Sequence, residues 1–177
     1  MMRYFIGFFV FLSLLLNMGC QPEEKFQSRS AEVFPPIPIK HAALFRMDNQ
    51  PISPAFFHGQ WTVVMFGTAS CAGECLHRLG LLDEVESAKK LFVIEDIADH
   101  SRLRKLGRQF PGVAISMGVS AASLDNFIAQ FDTDNGKAID KQQQLYLINP
   151  LAELVYSLPQ QGLKSGDIDR ELAFPGL

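Results

Sequence analysis

Gln60-Trp61-Thr62-Val63-Val64-Met65-Phe66-Gly67-Thr68-Ala69-Ser70-Cys71-Ala72-Gly73-Glu74-Cys75-Leu76-His77-Arg78 decides the fold. Trp61 to Phe66 is an apolar run of strand length, suited to a central strand buried on both faces. Gly67 ends it, and two cysteines follow four residues apart. Cys75, Leu79, Leu82 and Val85 or Glu86 then recur at helical spacing, so one stripe of a helix faces the sheet. The stretch is a strand, a loop and a helix, with paired sulfurs at the join.

The spacing constrains the sulfur chemistry. Residues i and i+4 of a helix hold their Cβ atoms about 5–6 Å apart, whereas a disulfide needs about 3.5–4.5 Å. If the pair closes, Cys71 therefore belongs in the loop or in a distorted first turn. Unpaired helix N–H groups nearby would stabilise its thiolate. Cys71 is thus expected as the attacking sulfur, and Cys75, better shielded on the buried stripe, as the resolving one. The same thiolates suit a soft cation such as copper(I); zinc, which takes four ligands, fits them poorly. An inert disulfide or two spare buried thiols are the alternatives. A stabilising crosslink, however, usually closes a longer loop.

Downstream, Leu91 to Ile94 reads as a second buried strand and Val113 to Ser116 as a third. Ser101 to Phe110 between them reads as a helix with Leu103, Leu106 and Phe110 on one side. Ser120 or Ser123 can cap a further helix through Phe131, with Leu124, Phe127 and Ile128 inward. After a polar break at Asp132 to Gly136, strands at Leu145–Ile148 and Leu154–Leu158 flank the hairpin connection Asn149-Pro150-Leu151-Ala152-Glu153. Gly166 to Leu172 can form a last short helix. Upstream, His41 to Met47 reads as the first strand and Asp48-Asn49-Gln50-Pro51 as a turn. The expected class is α/β: a thioredoxin-like, central mixed sheet flanked by helices, closing in a C-terminal β-hairpin.

The chain has 177 residues, 47% of them hydrophobic, which suits one domain with a substantial core. A formal net charge of −3 with no evident basic stripe argues against nucleic acid as a partner. Three cysteines rule out a disulfide-stapled scaffold. Residues 1–19, with Arg3 the sole charge before the apolar Tyr4–Leu16, follow the signal-peptide pattern. The run is shorter than the roughly 20 apolar residues of a spanning helix, although an uncleaved anchor is the competing reading. Gly19-Cys20 resembles the lipobox of bacterial lipoproteins, with Asn17 standing where leucine is usual. The implied address is extracytoplasmic: a bacterial cell-membrane lipoprotein facing the periplasm, attached through lipidated Cys20. Residues 20–36 are polar and proline-bearing and read as a tether, leaving 37–177 as the folded domain.

With these pieces placed, the stretch Gln60–Cys75 resembles the signature of the Sco/SenC family. Gly118-Val119-Ser120 and Tyr146-Leu147-Ile148-Asn149-Pro150-Leu151-Ala152-Glu153-Leu154-Val155 fit the same template, and the resemblance runs roughly from Ile37 to Leu172. Those are membrane-anchored thioredoxin-fold proteins that help to assemble the copper centre of cytochrome c oxidase. The resemblance implies copper handling or thiol–disulfide exchange at Cys71 and Cys75, with an oxidase subunit or a thiol redox protein as partner. Two departures stand out. Leu76 replaces the family's proline after the second cysteine. Lys141 stands where the family's copper-binding histidine is expected, and an ammonium has no lone pair for a metal.

No other residue is an obvious third ligand. His77, two residues past Cys75, should point away from the sulfurs; His58 precedes the central strand, and His41 lies at the start of the body. His100 follows a buried strand and could share the cysteine edge. Met65 and Met117 read as packing, and Glu95, Asp96 and Asp99 as loop charges. No phosphate loop, serine elbow or metalloprotease helix is present. A peroxiredoxin-like peroxidase is disfavoured because its loop proline is missing. A binding protein that has kept the fold and lost the metal is the remaining class.

Overall fold

The computed structural model describes residues 27–48, 50–96, 100–132 and 141–173. The signal peptide, Cys20 and the start of the tether lie outside the described residues, as do Asp99 and most of the polar break after Phe131.

Among the described residues eight strands form one mixed sheet: β1 (Ala31–Pro38), β2 (Leu44–Arg46), β3 (Pro51–Ile52), β4 (Thr62–Gly67), β5 (Lys89–Ile94), β6 (Ala114–Gly118), β7 (Gln144–Ile148) and β8 (Glu153–Pro159). Their spatial order is β1-β8-β7-β4-β5-β6-β2-β3. The helices are α1 (Glu74–Asp83), α2 (His100–Gln109), α3 (Ala121–Ile128) and α4 (Asp167–Ala173). The architecture is the thioredoxin-like one expected, and β7–β8 is the predicted C-terminal hairpin.

β4 lies in the middle of the sheet, and all six of its residues are buried. It pairs in parallel with β5 and antiparallel with β7. Its side chains alternate between two cores, as the period of two requires. Val63 and Met65 meet Leu79 and Leu82 of α1 and Leu103 and Leu106 of α2. Val64 and Phe66 meet Phe127, Phe131 and Tyr146 on the other side, where the Phe66 ring lies 5.0 Å from that of Phe131. Both crossover helices, α1 and α2, therefore cover the same face. Parallel β4, β5 and β6 end at one edge, the usual place for a site in such sheets.

Ser120 caps α3 through a reciprocal box with Ser123, one of the two caps expected. The N-terminal expectations need correcting. His41–Met47 contributes only the three residues of β2, and Pro51 belongs to β3 rather than to a turn. The first strand is β1, which takes Ala31–Pro36 from the segment read as tether and pairs antiparallel with β8. Its prolines are tolerated because the register shifts between Glu32 and Ile37 and the strand is at the sheet edge, where missing N–H groups leave no ladder broken. Among the described residues no helix is long and apolar enough to cross a membrane.

Candidate functional site

The loop after β4 is shaped by its own backbone. Glu95 N–H donates to the Gly67 carbonyl at 2.9 Å, continuing the β4–β5 pairing, and Asp96 Oδ1 accepts the Ala69 N–H at 2.8 Å. Cys71 N–H donates to the Thr68 carbonyl at 3.1 Å, turning the chain toward α1. Gly73, the N-cap of α1, has φ of +54°, a conformation open to glycine and strained for other residues. Gly67 is required for a different reason: a Cβ there would lie 2.8 Å from the Phe92 ring.

This path brings the cysteines together. Cys71, in the loop, and Cys75, second residue of α1, form a disulfide with a Cα–Cα distance of 5.3 Å. The loop position of Cys71 is the one that closure demands. Both cysteines are half-buried. Both line an open cavity of about 730 Å³ with Thr68, Glu74, Arg78 and Gln142. Cys71 alone also faces a second cavity of about 250 Å³, between the loop and α2.

Arg78, one turn beyond Cys75, organises the wall of the larger cavity. It pairs with Glu74 at 3.1 Å and donates to the Gln142 carbonyl at 3.3 Å and to Gln160 Oε1 at 3.1 Å. Gln160, only 2% exposed, also donates to the Gln144 carbonyl at 2.6 Å. A buried polar group held on both ends in this way fixes the turn 141–143 against α1. Gln142 Nε2 donates to Glu95 Oε2 at 2.6 Å, so Glu95 takes part in the same wall. Sequence reasoning missed Arg78, Gln142 and Gln160. Their side chains carry no motif, and only the pairing of β7 with β4 brings the turn to the cysteines.

Lys141 begins that turn, and its ammonium is paired with Asp132 at 2.5 Å. It does not line the cysteine cavity. Among the described residues no group of three His, Cys, Asp or Glu side chains could hold a metal ion. His77 is exposed and outside the cavity, and His58 bridges to Leu151 before β4 begins, at the end of the strand away from the cysteines. His41 meets Gln130 through its backbone. His100 opens α2, with its side chain outside the described residues. Met65 is buried in the core beneath the cavity, and Met117 packs at its margin.

Fold and site together define a thioredoxin-like dithiol protein: a disulfide at the strand-to-helix join, open to solvent at the carboxyl edge of the sheet. Solved structures narrow this to the Sco fold. The chain is similar to yeast Sco1 with copper bound (TM-score 0.60, 17% identity, covering 75% of this chain and 88% of that one). It is similar to BsSco, a member of the Sco family of cytochrome c oxidase assembly proteins (TM-score 0.57, 13% identity, 77% and 94% covered). It is also similar to a SCO1/SenC family lipoprotein from Bacillus anthracis (TM-score 0.60, 14% identity, 80% and 97% covered). The resemblance drawn from the cysteine stretch thus holds in the fold. No protein-family model and no curated protein matches the sequence.

Proposed function

We propose that this chain is a Sco-type protein, held on the periplasmic side of a bacterial cell membrane through lipidated Cys20. In this reading it supports assembly of the cytochrome c oxidase copper centre by thiol–disulfide exchange at Cys71 and Cys75. The observation that carries the reading is the Cys71–Cys75 disulfide lining an open cavity on a Sco fold. In the reduced protein the Cys71 thiolate attacks a partner's disulfide, forming a mixed disulfide and releasing one partner thiolate. Cys75 thiolate then attacks Cys71 Sγ, which closes the Cys71–Cys75 bond and releases the second. Two electrons pass to the partner in all, and the reverse sequence reduces this chain.

Copper would be cargo rather than a resident cofactor. The donors that fit it are the two soft sulfurs, once reduced. The third position fits poorly: Lys141 is an ammonium engaged by Asp132, and the described residues supply no other candidate cluster. Exchange is therefore favoured over carriage. Copper(I) titration of the reduced full-length chain in detergent discriminates the two. Weak binding together with rapid exchange against a disulfide substrate supports the proposal. Tight one-to-one binding abolished by Cys71→Ala transfers the role to copper delivery, and neither activity leaves a binding module.

A further inference from the structure

Helix α2 departs from the charge of the rest of the molecule. The chain carries a net −3, yet α2 bears Arg102, Arg104, Lys105 and Arg108 and no carboxylate. Among the described residues no ion pair neutralises any of the four. Leu103 and Leu106 face the core and set the rotation of the helix. That rotation divides the cations. Arg102 and Lys105 line the cavity of about 250 Å³ with Ser70, Cys71 and Leu76, and among the described residues no carboxylate lines it. Arg104 and Arg108 flank the opposite side, with Arg46 and Asp48. Asp96, the described carboxylate nearest in sequence to α2, is tied to the Ala69 N–H.

We infer that the Arg102–Lys105 cavity is the docking site for an acidic segment that flanks the reactive cysteine of a thiol protein. The inference rests on the exchange reading of Cys71 and Cys75 and names the partner chemistry for it. The cavity touches Cys71 and not Cys75, so a thiolate seated there reaches Cys71 Sγ first. Its sulfur forms a bond to Cys71 as the Cys71–Cys75 bond breaks, and Cys75 leaves with the electron pair. Cys75 lies in the first turn of α1, where the helix end favours a thiolate and Gly73 supplies no side-chain cap. The partner's second thiolate then attacks its own sulfur in the mixed disulfide. The partner emerges as a disulfide and this chain as a dithiol, with the two protons of the partner thiols balancing the two gained here. Flanking carboxylates on the partner meet two unpaired cations and raise the encounter rate.

Two synthetic peptides test this, each with a single cysteine, flanked by glutamates in one and by lysines in the other. Mixed-disulfide formation with the oxidised full-length chain is followed by acid quench and mass spectrometry at low and high salt. The rate ratio, acidic over basic peptide, should fall about tenfold in Arg102→Glu/Lys105→Glu, in line with electrostatic steering, and by less in Arg102→Gln/Lys105→Gln. The wild-type ratio should fall as salt rises. Arg104→Glu/Arg108→Glu changes the net charge equally on the other flank and should leave most of the ratio intact. Circular dichroism on each variant confirms that the comparison is between folded proteins. An unchanged ratio in Arg102→Glu/Lys105→Glu overturns the docking site and assigns the patch to another anionic surface, such as lipid headgroups. An equal drop in the control pair reduces the effect to net charge and overturns it too. If neither peptide reacts with the wild type, the exchange reading itself fails.

Discussion

The Lys141 ammonium lies 2.5 Å from Asp132 Oδ1, at the turn that carries Gln142 and Gln143 into the wall of the cysteine cavity. A lysine stands where the Sco/SenC resemblance expects an imidazole, and its charge is directed to a carboxylate instead of to the sulfurs.

Lys141→His should therefore supply the imidazole that the resemblance expects. The reduced variant is expected to bind copper(I) at least about tenfold more tightly than wild type, since an imidazole supplies the lone pair that an ammonium lacks. Competition against a copper(I) chelator measures it. Losing the partly exposed ion pair should cost only about 0–1 kcal/mol, so the fold is retained.

The disulfide should matter modestly for stability. It spans a sequence separation of four, and closing so short a loop removes little chain entropy. Reduction, or Cys71→Ser with Cys75→Ser, is expected to lower stability by about 2 kcal/mol, the low end of the disulfide range. Urea unfolding with and without a reductant checks this. A loss beyond about 4 kcal/mol would make the bond mainly structural.

Gly67 should tolerate no side chain. A Cβ there meets Phe92 Cε2 and Cζ at 2.8 Å and comes within 3.8 Å of Cys75 Sγ. Gly67→Ala should destabilise by about 1–3 kcal/mol, as overpacking does. It should also alter the rate of disulfide reduction, because the methyl group presses on the site. Adding Phe92→Leu should recover part of the stability, as denaturant unfolding of the pair would show.

Glu171 should hold the N-terminal segment in place. It is 3% exposed and accepts from Ser28 Oγ at 2.7 Å, Arg29 N–H at 2.6 Å and Ser30 Oγ at 3.0 Å. The Arg29 guanidinium also donates to the Gln161 and Gly162 carbonyls. In Glu171→Ala, trypsin should cleave after Arg29 several-fold faster, while cleavage within the body stays slow. Equal rates in the two proteins would mean that β1 pairing alone secures the segment.

The continuous apolar run Trp61–Phe66, the break at Gly67 and the cysteine spacing were enough to determine a thioredoxin-like sheet with sulfurs at its carboxyl edge. Each is a local signal: apolar run length, turn chemistry and helical stripe act within a few residues. The Ser120 cap and the β7–β8 hairpin were legible for the same reason. β1 was not, because three prolines between Phe34 and Pro38 argue against a strand wherever every N–H is needed, and only the edge position removes that need.

The surroundings of the sulfurs were decided by tertiary structure alone. Cys71 and Gln142 are brought to one cavity by the antiparallel pairing of β7 with β4, across some seventy residues of chain. Arg102 and Lys105 share a cavity with Cys71 because the burial of Leu103 and Leu106 sets the rotation of α2. Sequence determined that this protein has a dithiol and which strand presents it. Long-range pairing and helix rotation, which depend on burying apolar area far away in the chain, decided what that dithiol faces.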